Sequence, residues 1–348
     1  MTGYWAIVIP ALVKILVIIA VVMTGVAYTT LAERKVSAWM QDRKGPNRAG
    51  PFGLLQPVAD GIKFFFKEDI TPAEAYRPVY LLAPLLTLVP ALFTFAVIPF
   101  GTSVTFLGQT HRLVIAPGVD VGIIYLLAIS SFSVYGILLA GWSSGNKYSL
   151  MGGLRSASQV ISYELGMGLS VLSVVLWTGT FDLDKIVAAQ TGWGHVWFFL
   201  PHFLAFVVFV VSVFAETGRL PFDLPEGESE IVGGYHTEYS GLRFAMFFMG
   251  EYANMITASA FVVILFLGGW NLPFVDWAWF GPVWGGLLSM AVFFGKIAFC
   301  LFVFIWVRWT LPRFRYDQLM GLGWKRLFPL AALNFVFIMT WLLLRGRP

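Results

Sequence analysis

Long runs of apolar residues, separated by short polar stretches, dominate this chain. A run of about 18 or more such residues predicts a membrane-spanning helix. The runs predict eight spans, at about 5–30, 78–99, 120–141, 157–177, 196–216, 243–269, 285–310 and 327–344. The short alternating segments of a membrane barrel would not give runs this long. One polar stretch has a period of its own. Leu54, Val58, Ile62 and Phe65 recur at helical spacing, while Asp60, Lys63 and Lys67 fall on another face. That pattern predicts an amphipathic helix. Its plainest reading is a helix lying in the membrane interface with a solvated charged face. The alternative is a helix that lines a cavity with one acid and two bases. The expected fold class is an all-α membrane protein: about eight transmembrane helices, a cytoplasmic amphipathic helix and a long acidic cytoplasmic loop. The spans leave no room for a separate soluble domain. Residues 1–348 are expected to form a single polytopic membrane domain, with cytoplasmic loops at 31–77, 142–156, 217–242 and 311–326.

Charge adds an orientation. Mean hydropathy is +0.77, and only 12% of residues are charged. The loops after spans 1, 3, 5 and 7 hold about fifteen Lys and Arg, eight of them in residues 31–77. The other loops and both tails hold about four. By the positive-inside rule the first set is cytoplasmic and both termini lie outside. The net charge of +4 follows from this topology and gives no basis for nucleic-acid binding. Residues 1–4 lack positive charge and the first apolar run is long, so no cleaved signal peptide is expected.

The sequence also excludes chemistry. Its lone cysteine, Cys300, rules out an intramolecular disulfide and a cluster held by four cysteines of this chain. It reads as a small buried hydrophobe. Of four histidines only His202 falls clearly inside a span, which disfavours a haem held by two imidazoles. There is no Walker loop, dinucleotide fingerprint or zinc spacing. Gly152-Gly153 and Gly233-Gly234 read as turns or close packing. No metal, haem, flavin or iron–sulfur centre is expected, and no catalytic residue is assigned. Any redox role needs electrons from another subunit.

Ionisable residues at membrane depth are costly, so they are candidate functional groups. Glu164 lies about seven residues into span 4 and Glu251 about eight into span 6, roughly 10–12 Å from the cytoplasmic edge. Lys296 lies near the middle of span 7, and Lys14 lies toward the outer half of span 1. The plainer readings are an ion pair of Glu251 with Lys296 that only orients helices, and a snorkelling Lys14. Chains of buried carboxylates are also what proton relays are made of. Glu216, Asp223, Glu226, Glu228 and Glu230 crowd into fifteen residues with Arg219, just after span 5. Leu220, Pro221, Phe222, Leu224, Ile231 and Val232 lie among or beside them, so this loop is expected to fold back on the membrane or a partner. Arg219 is close enough in sequence to pair with Glu216 if the helix continues.

Four stretches then resemble a known family. They are Ala32-Glu33-Arg34-Lys35 through Gly45-Pro46-Asn47, Gly141–Ser149, Ser162-Tyr163-Glu164, and Glu216–Glu230 followed by Glu251-Tyr252. Together they resemble the family of the H subunit of NADH:quinone oxidoreductase, respiratory complex I. The likeness runs from the first span to the end. Membrane subunits of proton-pumping hydrogenases share a weaker version of the plan. The resemblance implies a translocase component that forms much of a quinone access tunnel and couples quinone reduction to proton translocation. Quinone would be its substrate, shared with partner subunits. It implies that Glu33, Arg34, Asp60, Lys63 and Arg219 line the tunnel. Glu216, Asp223, Glu226, Glu228 and Glu230 would form the acidic coupling loop. Glu164 and Glu251, with Glu216 and Asp60, would begin the proton path, to which Lys296 is added for its depth. Implied partners are the hydrophilic quinone-site and iron–sulfur subunits, small membrane subunits and antiporter-like subunits. The implied location is a bacterial inner membrane, with the mitochondrial inner membrane as alternative.

One departure stands out. Some family members carry an acid inside the helix matching span 3, where this chain has only Ser130, Ser131 and Ser133 as small polar residues. Water held by these serines would have to take its place. Two rival classes explain part of the pattern. A proton-coupled transporter accounts for the buried acids, but no clear internal repeat is visible. A passive anchor accounts for the basic loop 31–77 but gives no reason for Glu164 and Glu251.

Overall fold

Helices dominate the computed structural model, which describes residues 2–106, 109–191, 196–224 and 231–345. The first helix, α1 (Thr2–Met40), is 39 residues long, about 58 Å at 1.5 Å per residue. That exceeds a hydrocarbon layer of about 30 Å, so α1 runs past the layer or tilts within it. After a turn at residues 41–55 comes the amphipathic α2 (Gln56–Phe66), in which no residue is buried. Then follow α3 (Arg77–Phe93), α4 (Gly122–Ser143) and α5 (Lys147–Thr178). The short α6 (Leu183–Ala188) precedes α7 (Phe203–Glu216) and α8 (Gly241–Phe266). The chain ends with α9 (Trp284–Thr310), α10 (Tyr316–Leu322) and α11 (Phe328–Leu344). A π-helical turn, Gly323–Leu327, fuses the last two into one rod. A small antiparallel hairpin, Val104–Phe106 with Gln109–His111, decorates the loop between α3 and α4.

Among the described residues, seven helices are long and apolar enough to cross a membrane. The expected eighth, 196–216, is represented by α7, which has only 14 residues, about 21 Å. The chain turns at residues 198–202 and α7 starts after Pro201-His202, where proline keeps the residue before it out of the helical region.

Three expected loops are largely helix. The chain stays helical to Met40. Only residues 144–146 separate α4 from α5, and the Asn146 side chain caps α5 by accepting from the Tyr148 amide at 2.9 Å. Residues 316–327 are helical too.

The core is built around α8. Its second half, from Met255 to Phe266, is buried throughout. It packs against α1, α3, α7 and α9, while α5 is covered by α4, α7 and α11. The outward faces are apolar instead, as at Leu16, Leu333 and Phe337, which suits contact with lipid. Small residues let helices approach closely. A Cβ at Gly136 of α4 would lie 2.8 Å from the Thr87 amide of α3. Gly152 of α5 likewise meets Gly234, where a Cβ would come within 2.8 Å of its Cα. The two glycine pairs are thus close-packing positions, and they seat the end of the acidic loop against α5. Polar side chains tie helices across the core: Thr94 to Thr257 at 2.9 Å and Asn334 to Ser173 at 3.2 Å.

Candidate functional site

The start of the acidic loop turns inward. Helix α7 ends at Glu216, and Gly218 takes a left-handed backbone (φ 63°), which glycine accepts without strain. This carries Arg219 away from Glu216, so the pairing expected from their spacing does not form. Arg219 is instead buried, with its Nε 2.7 Å from the Glu251 carboxylate of α8. Its Nη1 faces both Glu33 oxygens of α1 at 3.4 Å. Its guanidinium lies over the Tyr252 ring, 4.4 Å from the centroid, a cation–π geometry.

Glu33 is the hub of this cluster. The Tyr252 hydroxyl donates to it at 2.7 Å, and Arg308, in the last turn of α9, donates to it and pairs with it as well. Four residues on the loop further, the Asp223 carboxylate accepts from Arg313 at 3.0 Å. Three carboxylates are therefore matched by three guanidiniums, and the set links α1, α8, α9 and both flanking loops. Burial of such charges is tolerable only when they are paired. Gln159 of α5 adds a neutral anchor: its side-chain amide donates to Ala215 O at 2.7 Å and Phe222 O at 2.8 Å. It fixes the backbone on either side of the turn.

Glu251 also opens onto a cavity of about 40 Å³ shared with Thr87, Ser133, Ser156, Glu216 and Asn254. Glu216 borders a second cavity of about 20 Å³, with Ser130, Asn254 and Thr257 on its wall. A polar cavity of about 10–15 Å³ is enough for one water, so both have room. Ser130, whose hydroxyl donates to Leu127 O at 3.0 Å, thus faces Glu216 across the second cavity. Ser131 donates to Glu164. Of the three serines of α4, Ser133 borders the first cavity and Ser130 the second, while Ser131 is held by Glu164. Glu251 of α8 and Glu216 of α7 thus border one cavity, and Glu164 of α5 is in electrostatic reach of Glu216.

Other expected members lie elsewhere. Arg34 and Asp60 pair with each other at 2.6 Å, with Gln56 donating to Asp60 at 3.1 Å. They form a separate, more exposed cluster between α1 and α2. Lys63 is exposed on α2, its amine 5.3 Å from the Phe64 ring. Lys296 is far from Glu251. Its amine donates to Leu267 O, Gly269 O and Asn271 O at 2.6–2.9 Å, and it lies over the Trp197 ring at 4.3 Å. These carbonyls follow the C-terminal end of α8, where unsatisfied oxygens and the helix dipole favour a cation. The structure therefore separates Lys296 from Glu251, by about 24 Å along α8. Glu226, Glu228 and Glu230 lie outside the described residues. Among the described residues no group of three or more His, Cys, Asp or Glu is placed to hold a metal ion.

Sequence reasoning missed Arg308, Arg313 and Gln159. The two arginines read only as positive charge at a membrane edge, and Gln159 carries no charge to mark it. The far end of the loop is held by aromatic stacking. Tyr239 stacks on Tyr80 with centroids 4.2 Å apart, and Asn146 donates to Glu238 at 2.6 Å. His236 is enclosed by Tyr235, Phe244 and Phe248. Burial lowers its pKa to about 4.

Comparison with known proteins matches the sequence to a family. The profile of the family described as NADH dehydrogenase matches residues 13–339. The H subunit of an NADH-quinone oxidoreductase from Leptospira biflexa is 51% identical over 344 residues, covering 96% of this chain and 95% of its own. Its counterpart from Geobacter metallireducens is 50% identical over 334 residues, covering 96% of each chain. The counterpart from Rhodospirillum rubrum is 51% identical over 327 residues, covering 92% and 91%. Identity of this order across nearly the whole of both partners leaves one reading: the chain belongs to the family of NADH-quinone oxidoreductase H subunits.

Proposed function

We propose that this chain is the membrane component through which a proton-pumping NADH:quinone oxidoreductase admits its quinone and passes the energy of quinone reduction into the membrane. The chain itself holds no redox centre in this reading. Electrons arrive from hydrophilic iron–sulfur partners, and small membrane and antiporter-like subunits receive the signal. The basic loops face the cytoplasm of a bacterial inner membrane. The amphipathic α2 lies in the interface beside the tunnel mouth, and the Arg34–Asp60 and Arg219–Glu33 clusters line the way in. The single observation that carries the reading is the position of Arg219. One buried side chain on the acidic loop is held at once by α1 and α8, and Glu251 leads from it into the cavity shared with Glu216.

The physical chemistry is charge coupling. Reducing a quinone takes up protons or leaves a transient anion beside the loop. Arg219 then divides its attraction differently between Glu33, Glu251 and the new charge. Carboxylates that interact strongly titrate as a group, so a change at Glu251 passes through the water-sized cavities to Glu216 and Glu164. The serines of α4 serve where other members have an acid.

Photo-crosslinking with a quinone-analogue inhibitor in the purified complex, mapped by peptide mass spectrometry, tests the tunnel. Labels near Glu33–Lys67 or Glu216–Glu230 are expected. Labels on partner subunits alone would remove the tunnel from this chain. Normally assembled Glu216→Gln and Glu251→Gln variants that pump at wild-type stoichiometry would remove the relay.

A further inference from the structure

At the end of the molecule away from Glu33, α1 and α9 leave a groove between them, closed by the segment that follows the hairpin. Its volume is about 310 Å³, and its walls, including Val17, Val21, Phe100, Met290 and Phe294, are apolar. Lys14, His111 and Arg112 stand at one end. A second cavity, of about 360 Å³, lies directly behind the same wall: Arg112, Leu113 and Val114 border both. This second space is mixed, with the polar Thr102, Ser103, Asp182, Asp184 and Lys185 beside the apolar Pro99 and Trp270 on its sides. An oily groove and a partly polar basin therefore meet across one strip of three residues, which is the division an amphiphile requires.

The charges have an order. Lys14 is half-buried, and its amine makes one hydrogen bond among the described residues, to Arg112 O at 3.3 Å. An ammonium has three donors to satisfy. In the basin, Lys185 is shared by Asp120 at 3.1 Å and Asp182 at 3.6 Å. Asp184 has Asp182 beside it and Arg112 within electrostatic reach. The groove end is thus positive, while the basin is bordered by two acids, Asp182 and Asp184, and two bases, Arg112 and Lys185, and Asp184 makes no ion pair among the described residues. Burial and Asp182 raise the Asp184 carboxyl above its ordinary pKa, with Arg112 opposing the shift, as fits a carboxyl with no cation in contact.

We propose that this is a binding site for a zwitterionic phospholipid of the phosphatidylethanolamine class. One acyl chain lies in the groove along Val17 and Val21. The phosphate accepts hydrogen bonds from Lys14 and faces Arg112. The headgroup ammonium reaches the acids of the basin. A helix from a partner subunit would bring apolar side chains to the groove but leave the Lys14 amine with Arg112 O as its one protein acceptor among the described residues, two of its three donors unmet. A phosphate diester supplies the missing acceptors. The site is independent of the quinone reading, since it lies at the opposite end of the chain from Glu33 and Arg219.

The test uses the full chain in its native membrane. A phosphatidylethanolamine with a photoactivatable acyl chain is incorporated, the protein is purified, and labelled peptides are mapped. A phosphatidylglycerol probe with the same chain runs in parallel. The expected result is labelling of residues 13–22 and 290–294 by the ethanolamine lipid in excess of the glycerol lipid. Val17→Trp, which fills the groove, should abolish it, and Lys14→Gln should reduce it about tenfold, the effect of losing one charged hydrogen bond. Leu333→Trp, on the lipid-exposed face of α11, should leave it unchanged. Equal labelling by the two lipids, indifference to Val17→Trp, or crosslinks from this groove to a neighbouring polypeptide would overturn the proposal.

Discussion

Arg219 holds Glu251 at 2.7 Å from the side of the acidic loop, so a loop residue and a mid-helix carboxylate of α8 share one buried ion pair. The same guanidinium faces Glu33. Replacing it by glutamine leaves Glu33 and Glu251 with Arg308 as their remaining cation in this cluster. Stranding a buried carboxylate costs about 3–5 kcal/mol. We expect Arg219→Gln to lose most assembled protein on native gels. Arg219→Gln with Glu251→Gln should recover part of it, because removing both partners abolishes the stranded charge. Strictly additive losses, within about 0.5 kcal/mol, would show the two groups to be uncoupled.

Glu164 accepts from Ser131 and stands in electrostatic reach of Glu216. Glu164→Gln keeps an acceptor for that hydroxyl but removes the titratable proton. The expected outcome is normal assembly, quinone reduction retained, and fewer protons translocated per quinone. Proton uptake measured in proteoliposomes checks it. Ser130→Ala with Ser133→Ala should act in the same direction, since it strips both cavity walls of α4 hydroxyls that would hold water. Unchanged stoichiometry in both would end the argument for a route through α4 and α5.

Lys296 gives the opposite signature. Its three carbonyl bonds at 2.6–2.9 Å close the end of α8, and each hydrogen bond to a charged group contributes about 1.5–3 kcal/mol locally. Lys296→Met should therefore lower the thermal stability of the purified protein by several degrees. Protons pumped per quinone reduced should not change in the molecules that fold. A loss of stoichiometry without a loss of stability would return Lys296 to the proton path.

Much of this was legible in the residues, for identifiable reasons. Apolar runs report the solvent around a helix, so the spans appeared but the helix ends did not. Residues 31–40 and 147–156 are polar enough to leave the membrane, yet their backbone goes on hydrogen-bonding as helix. The depth of Glu164 and Glu251 followed from counting residues. Their partners did not, because Arg219 reaches Glu33 across 186 positions and Arg308 reaches it across 275. Spacing favoured an Arg219–Glu216 pair, and a single left-handed Gly218 undid it. Lys296 was placed at the right depth in the wrong company, since depth along one helix says nothing of which neighbour ends beside it.

His236 makes the loop's attachment sensitive to acid. Its pKa is about 4 instead of the ordinary 6.5, because burial disfavours the imidazolium. The folded loop therefore refuses a proton that the detached loop accepts. With the native value depressed, the contribution to stability is full above pH 6.5 and is lost as pH falls toward about 4. At about pH 5 the loss for one such histidine is about 2 kcal/mol. Thermal unfolding of the detergent-solubilised protein should show a lower Tm at about pH 5 than at neutral pH. His236→Gln, which cannot titrate, should flatten that difference while lowering Tm at neutral pH, since an amide fits poorly among Tyr235, Phe244 and Phe248. If the variant keeps the wild-type pH dependence, the acid sensitivity does not reside in His236.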